Sequence, residues 1–130
     1  MIKTLSEDEL RTKYPDLLKD VWFECSDGWF DILDALCGNI ENHLESVRRK
    51  DPEDPLLQIS ISQIKEKFGG LRFYTSCTDD TISGMICMAE SMSYRVCEVC
   101  GNPGRSRKGG WIKTLCDEHA EEREKKMNSK

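Results

Sequence analysis

No stretch of the 130-residue sequence stays apolar long enough to cross a bilayer. The opening residues, MIKTLSEDELRTKYPDLLKD, contain neither the apolar core nor the small-residue cleavage site of a secretion signal. Membrane insertion and export are therefore not expected. Histidine is scarce: only His43 and His119 are present, which leaves little material for a histidine-based catalytic pair. An excess of positive charge is also missing. The net charge is −5, unlike a dedicated DNA-binding domain, whose pI usually exceeds about 9. No internal repeat occurs, and no low-complexity stretch beyond the charged end EEREKKMNSK, which predicts a frayed helix. Cysteine, by contrast, is plentiful, with seven residues. An odd number without a secretion signal argues for reduced thiols and metal ligation in a cytoplasm, not for a disulfide framework.

Charge divides the chain. Residues 1–94 carry 10 Lys and Arg against 18 Asp and Glu; residues 95–130 carry 9 against 6. The expected organisation is an acidic α+β body, 1–94, and a zinc-binding module with a C-terminal helix, 95–130, joined as one unit. In the body, LSEDEL predicts a helix start, with Ser6 as N-cap, Glu9 completing a capping box and Leu5 stapled to Leu10. Pro15 interrupts that helix, and PDLLKDVW predicts a further turn. Trp29, Leu33, Leu36, Ile40, Leu44 and Val47 fall three or four apart, the apolar stripe of a long helix. Ser26 or Asp27 is its expected cap, and Gly38 in its middle implies a close packing contact. Trp22, Trp29 and Phe30 read as core anchors.

Residues 57–76 predict a β-hairpin with a two-residue turn at Gly69-Gly70. That turn pairs Phe68 with Leu71, Lys67 with Arg72, Glu66 with Phe73 and Lys65 with Tyr74. Ile64, Phe68, Leu71 and Phe73 then form the core face, with Glu66 as an oddity among them. The change of parity between Ile61 and Ile64 requires a bulge near Ser62-Gln63. A second amphipathic helix follows, capped by Asp80 or Thr81, with Ile82, Met85, Ile86, Ala89 and Met92 on one side.

The segment CEVCGNPGRSRKGGWIKTLCDEHA carries the strongest chemical signal: Cys97-x2-Cys100, fifteen residues, then Cys116-x2-His119. Zinc takes four tetrahedral N or S ligands, and a structural site fills all four from protein. Cys97 and Cys100 flank a tight turn, and Cys116 and His119 suit the first turn of a helix. A knuckle, a hairpin and a helix start converging on one ion make a treble-clef arrangement. The bland alternative, four unrelated residues, does not account for two pairs at hairpin-sized spacing. Cobalt or iron would accept the same ligands. HNH-type nucleases share this scaffold but need a further catalytic histidine, and His43, at the edge of the long helix's stripe, reads as a boundary residue. A nucleophile pair of His43 with Cys25, Cys37, Cys77 or Cys87 has no support in the spacing, and no catalytic constellation is identified.

Two patches could meet an anion or nucleic acid. One is the zinc loop, with Arg105, Arg107, Lys108 and Lys113 around Trp111, although Trp111 could instead pack on Leu115 as a miniature core. The other is the hairpin face of Lys65, Lys67, Arg72 and Tyr74, for which a solvated surface is the favoured reading.

DGWFDILDALC, QIKEKFGGLRFY and CEVCGNPG…GGWIKTLCDEHA, in that order over roughly residues 24–120, resemble a family of small proteins from bacteriophages, prophages and bacteria. The resemblance implies a phage or prophage origin and a bacterial host cytoplasm, and carries over the four ligand positions but no catalytic residue. The expectation is an α+β fold, helices on a short antiparallel hairpin or small sheet, with a C-terminal treble-clef-like module holding one structural Zn2+. The expected function is that of a non-enzymatic accessory protein binding a host or phage protein, with no small-molecule substrate. The alternative is a nucleic-acid-binding zinc module using the Arg105–Lys113 loop.

Overall fold

The computed structural model describes residues 5–128; residues 1–4 of the opening segment and 129–130 of the charged end lie outside it. The first helix, α1 (Glu7–Lys13), starts with the expected capping box. Ser6 Oγ accepts from the Glu9 amide at 3.1 Å, and Glu9 Oε1 accepts from the Ser6 amide at 3.2 Å. Turns through residues 15–20 follow, fastened back to α1 by Arg11, which donates to the carbonyls of Leu18 (2.8 Å) and Val21 (2.6 Å). Val21 takes the core position at this point, which leaves the adjacent Trp22 82% exposed. Trp22 is therefore not a core anchor, because neighbours in an extended segment face opposite ways. Trp29 and Phe30 are buried as expected.

After a two-residue strand, β1 (Phe23–Glu24), a 3-10 turn (Asp27–Trp29) leads into the long helix α2 (Phe30–Lys50). Leu33, Leu36, Ile40 and Leu44 of its stripe are buried. Neither Ser26 nor Asp27 caps it through a side chain; the 3-10 turn supplies the start, with Trp29 at the N-cap position. A methyl group at Gly38 would lie 3.2 Å from the Tyr14 hydroxyl, which identifies the close contact. That hydroxyl donates to Asp34 Oδ1 at 2.6 Å.

A loop and a short 3-10 turn (Pro55–Gln58) deliver the chain to the hairpin of β2 (Ile61–Lys67) and β3 (Gly70–Thr75). Ile64 pairs with Phe73, Glu66 with Leu71, Lys65 with Arg72 and Lys67 with Gly70, so the turn is Phe68-Gly69, one residue earlier than expected. Both turn residues have positive φ, 55° and 84°, as the primed turns of tight hairpins require. In this register Gly70 lies inside the strand with Tyr94 beside it: a methyl group there would sit 2.3 Å from the Tyr94 ring. Phe68 is thereby placed in the turn, 64% exposed, and not on the core face. The expected bulge lies between Ile61 and Gln63. Strand order is β1-β2-β3, with β1 parallel to β2.

Helix α3 (Asp80–Ser93) is capped by Asp79, whose Oδ1 accepts from the Ile82 amide at 2.8 Å; neither Asp80 nor Thr81 takes that role. Its Ile82 and Ala89 are buried, Met85 and Ile86 are half-buried against the core, and Met92 is exposed. Two of its side chains serve the outer strand: Ser93 Oγ accepts from the Leu71 amide (2.9 Å) and Glu90 Oε2 from the Phe73 amide (3.0 Å). The chain ends in a second hairpin, β4 (Arg105–Arg107) with β5 (Lys113–Leu115), and in helix α4 (Asp117–Asn128). The fold is α+β, as the sequence implies. Among the described residues no helix is long and apolar enough to cross a membrane.

Candidate metal centre

Cys97 and Cys100 sit on a tight knuckle. The Gly101 amide donates to the Cys97 carbonyl (2.9 Å), the Cys97 amide donates to the Asn102 carbonyl (2.7 Å), and Gly101 has a φ of 83°. The β4–β5 hairpin carries the chain out and back, so that Cys116 arrives just before α4 and His119 lies in its first turn. The four donor atoms of Cys97, Cys100, Cys116 and His119 all fall within 4.8 Å of one another. Cys100 Sγ is 3.8 Å from Cys116 Sγ, and His119 Nδ1 is 3.2 Å from Cys116 Sγ and 3.7 Å from Cys97 Sγ. With metal–sulfur bonds of about 2.3 Å and metal–nitrogen bonds of about 2.0 Å, a tetrahedron has edges of about 3.8 Å (S–S) and about 3.5 Å (S–N). The separations fit a metal held by three thiolates and one imidazole.

The local electrostatics also suit a cation. Burial acts to raise the Cys97 thiol, but backbone N–H groups of Cys116, Cys100 and Val99 directed at its sulfur outweigh it and hold the thiol below its ordinary value. Burial pushes Cys100 up to about 11, and hydrogen bonds with the neighbouring cysteines add to the rise. A second negative sulfur beside the first thus needs a positive partner. The other cysteines stand apart from the cluster, and burial pushes both Cys25 and Cys37 up to about 12. His43 bonds Asp79, Nε2 to Oδ2 at 2.6 Å, and not a cysteine.

The module is joined to the body by main chain and by an ion trio around the buried Glu98. The Gly28 amide donates to the Glu98 carbonyl (2.8 Å), the Ser26 amide to Glu98 Oε2 (3.0 Å), and Trp29 Nε1 to the Val96 carbonyl (2.9 Å). Lys113 Nζ lies 3.2 Å from Glu66 and 3.5 Å from Glu98, whose residue is only 5% exposed. Glu66, the oddity of the core face, is therefore one of the hairpin's contacts with the module. Glu98, between the two knuckle cysteines, has no signature in the spacing and is recognisable only once Ser26 and Gly28 are beside it.

The candidate anion-binding residues divide. Arg107 pairs with Asp117 at 2.7 Å, and Arg105 stands 3.9 Å from the same carboxylate. Lys113 is turned inward to Glu66 and Glu98, and Lys108 is exposed. Trp111 is 70% exposed, so it does not form a miniature core with the buried Leu115, which packs among the cysteines. On the hairpin, Lys65 and Arg72 pair across the strands, with Lys67 and the exposed Tyr74 on the same face. No family model, curated protein or solved structure matches the chain.

Proposed function

We propose that Cys97, Cys100, Cys116 and His119 hold one structural zinc ion in a treble-clef-like module. In this reading the chain is a non-enzymatic accessory protein of phage or prophage origin that binds a host or phage protein in the bacterial cytoplasm. The observation that carries the metal reading is the set of donor separations, which match a tetrahedron built wholly from protein ligands. Bound there, zinc would neutralise the clustered thiolates and cross-link the knuckle to the start of α4. Four protein donors leave no position for a reacting water, which favours a structural over a catalytic role. The phage origin and host compartment rest on the motif resemblance.

The protein-partner reading is favoured by a groove of about 530 Å³ between α2 and α3, lined by Ile32, Leu36, Met85, Met88 and Met92 with Asp31 beside them. Methionine-rich surfaces adapt to apolar side chains of a partner. Elemental analysis of purified protein is expected to give one zinc per chain and almost none for Cys116→Ser; a metal-free wild-type chain would overturn the metal reading. A partner retained by the wild type and lost from Met88→Arg supports the groove. One retained equally by both places the interface elsewhere.

A further inference from the structure

The two basic faces that stand apart in the sequence meet in the fold. Thr114 Oγ1 donates to the Gly69 carbonyl at 2.6 Å, and a methyl group at Gly69 would lie 3.2 Å from Ile112 Cγ2. The tip of the β2–β3 hairpin thus rests against the β4–β5 hairpin. Segments 65–74 and 105–113 together hold seven Lys and Arg and one acid, Glu66, in a chain of net charge −5. Glu66 is turned to Lys113 and the Gly69 amide.

Exposed aromatic residues lie on and beside the same two hairpins. Of the five exposed aromatic residues among the described ones, Phe68, Tyr74, Tyr94 and Trp111 belong to these hairpins or lie against them; Trp22 does not. The cations alternate with the rings. Lys67 Nζ lies 5.6 Å over the Phe68 ring, Lys65 Nζ 5.9 Å over Tyr74, and Arg72 donates to the Tyr94 hydroxyl at 3.2 Å. Lys65, Lys67, Arg72 and Lys108 form no ion pair among the described residues. Acids border the patch: Glu24 beside Lys65, bonded by Gln63, and Asp117 with Arg105 and Arg107.

Phe68 is the most telling residue. It holds a φ of 55°, a region that bulky side chains enter only under strain and that Asn or Gly occupies readily, and its ring faces solvent. Neither the turn nor the core requires a phenyl ring there. Strain kept at an exposed aromatic points to recognition.

We propose that this hairpin junction binds single-stranded nucleic acid, with bases stacking on Phe68 and Trp111 and phosphates meeting Lys67, Arg72, Arg105 and Lys108. Every base offers a π-face to such rings, whereas a duplex hides its base faces. The site is distinct from the α2–α3 groove and depends on the metal reading only for the shape of the module.

The test is fluorescence anisotropy with labelled oligo-dT and oligo-U of about 15 nucleotides, and a duplex of equal length, after metal quantification of each sample. Micromolar binding to single strands is expected at about 50 mM salt, weakening about 50-fold at about 200 mM if four phosphates are neutralised. Phe68→Asn and Trp111→Ala should each weaken binding about tenfold. Phe68→Asn should at the same time raise Tm, because asparagine accepts the left-handed turn, so its loss of binding is not a loss of folding. Equal affinity for the duplex, or unchanged affinity in the Phe68→Asn, Trp111→Ala double variant, would overturn the proposal. So would an absence of binding at low salt by a chain carrying one metal. Failure of the metal reading registers separately, as absent metal.

Discussion

Among the described residues, the body buries twenty side chains in one continuous cluster from Leu10 to Ala89, whereas the C-terminal module buries three apolar side chains, Cys97, Leu115 and Cys116. Its helix α4 contributes no buried residue at all. Each large side chain removed from water stabilises the folded state by roughly 1.5–3 kcal/mol, so the body's cluster has ample material to oppose chain entropy. The module does not. Besides the proposed metal, what holds it are the Glu98–Lys113–Glu66 contacts and the bonds to the main chain of Gly28 and Gly69. Two regions of one chain are thus stabilised by different physics, and each responds to a different perturbation.

The largest expected effect comes from removing a ligand. A structural zinc contributes on the order of 10 kcal/mol to a small module, so Cys116→Ser or chelation should strip amide-exchange protection from residues 97–128 while α2 and β3 keep theirs. Simultaneous loss of protection in both regions would break the distinction. Next, Leu33→Ala opens a cavity in the body and should cost about 3 kcal/mol by urea unfolding, with the metal content unchanged. Gly28→Ala probes the seam between the regions, since its methyl group would fall 2.3 Å from the Cys97 carbonyl oxygen and 2.4 Å from that of Glu98. Backbone atoms cannot move aside cheaply, so a loss of about 2 kcal/mol is expected, together with weaker metal retention.

Acid should separate the regions by a smaller margin. In the body, burial acts to raise Asp34 and Asp79, but bonds from Lys13 and Tyr14 to the first, and from the Ile82 amide and His43 to the second, hold both below the usual carboxylate range. Their contribution is present above the unfolded carboxylate value of about 3.9 and is lost only as pH falls through the lowered folded values. Protons compete for thiolates and imidazole at higher pH than that. Metal release on acidification should therefore precede loss of the body's helical circular dichroism; coincident transitions would argue for one cooperative unit.

What the sequence makes legible is what is local in the chain. The capping box at Ser6, the stripe from Leu33 to Leu44, the parity change that demands a bulge and the four ligands at their spacings all depend on neighbours within a few turns. What escaped depends on contacts far along the chain. Gly70 has the ring of Tyr94, from beyond the next helix, close against it inside the strand. Glu98 acquires its role from Ser26 and Gly28, some seventy residues earlier. The meeting of the two basic faces is of the same kind, because Gly69 and Thr114 carry no mark of each other in sequence.

The Ser93 and Glu90 bonds to the amides of Leu71 and Phe73 reach beyond local stability. Those two amides are outward donors of the sheet's long free margin, groups through which another chain's strand would add. With both already satisfied, and with only two residues in the opposite margin, β1, edge-to-edge pairing with another copy is disfavoured at the backbone.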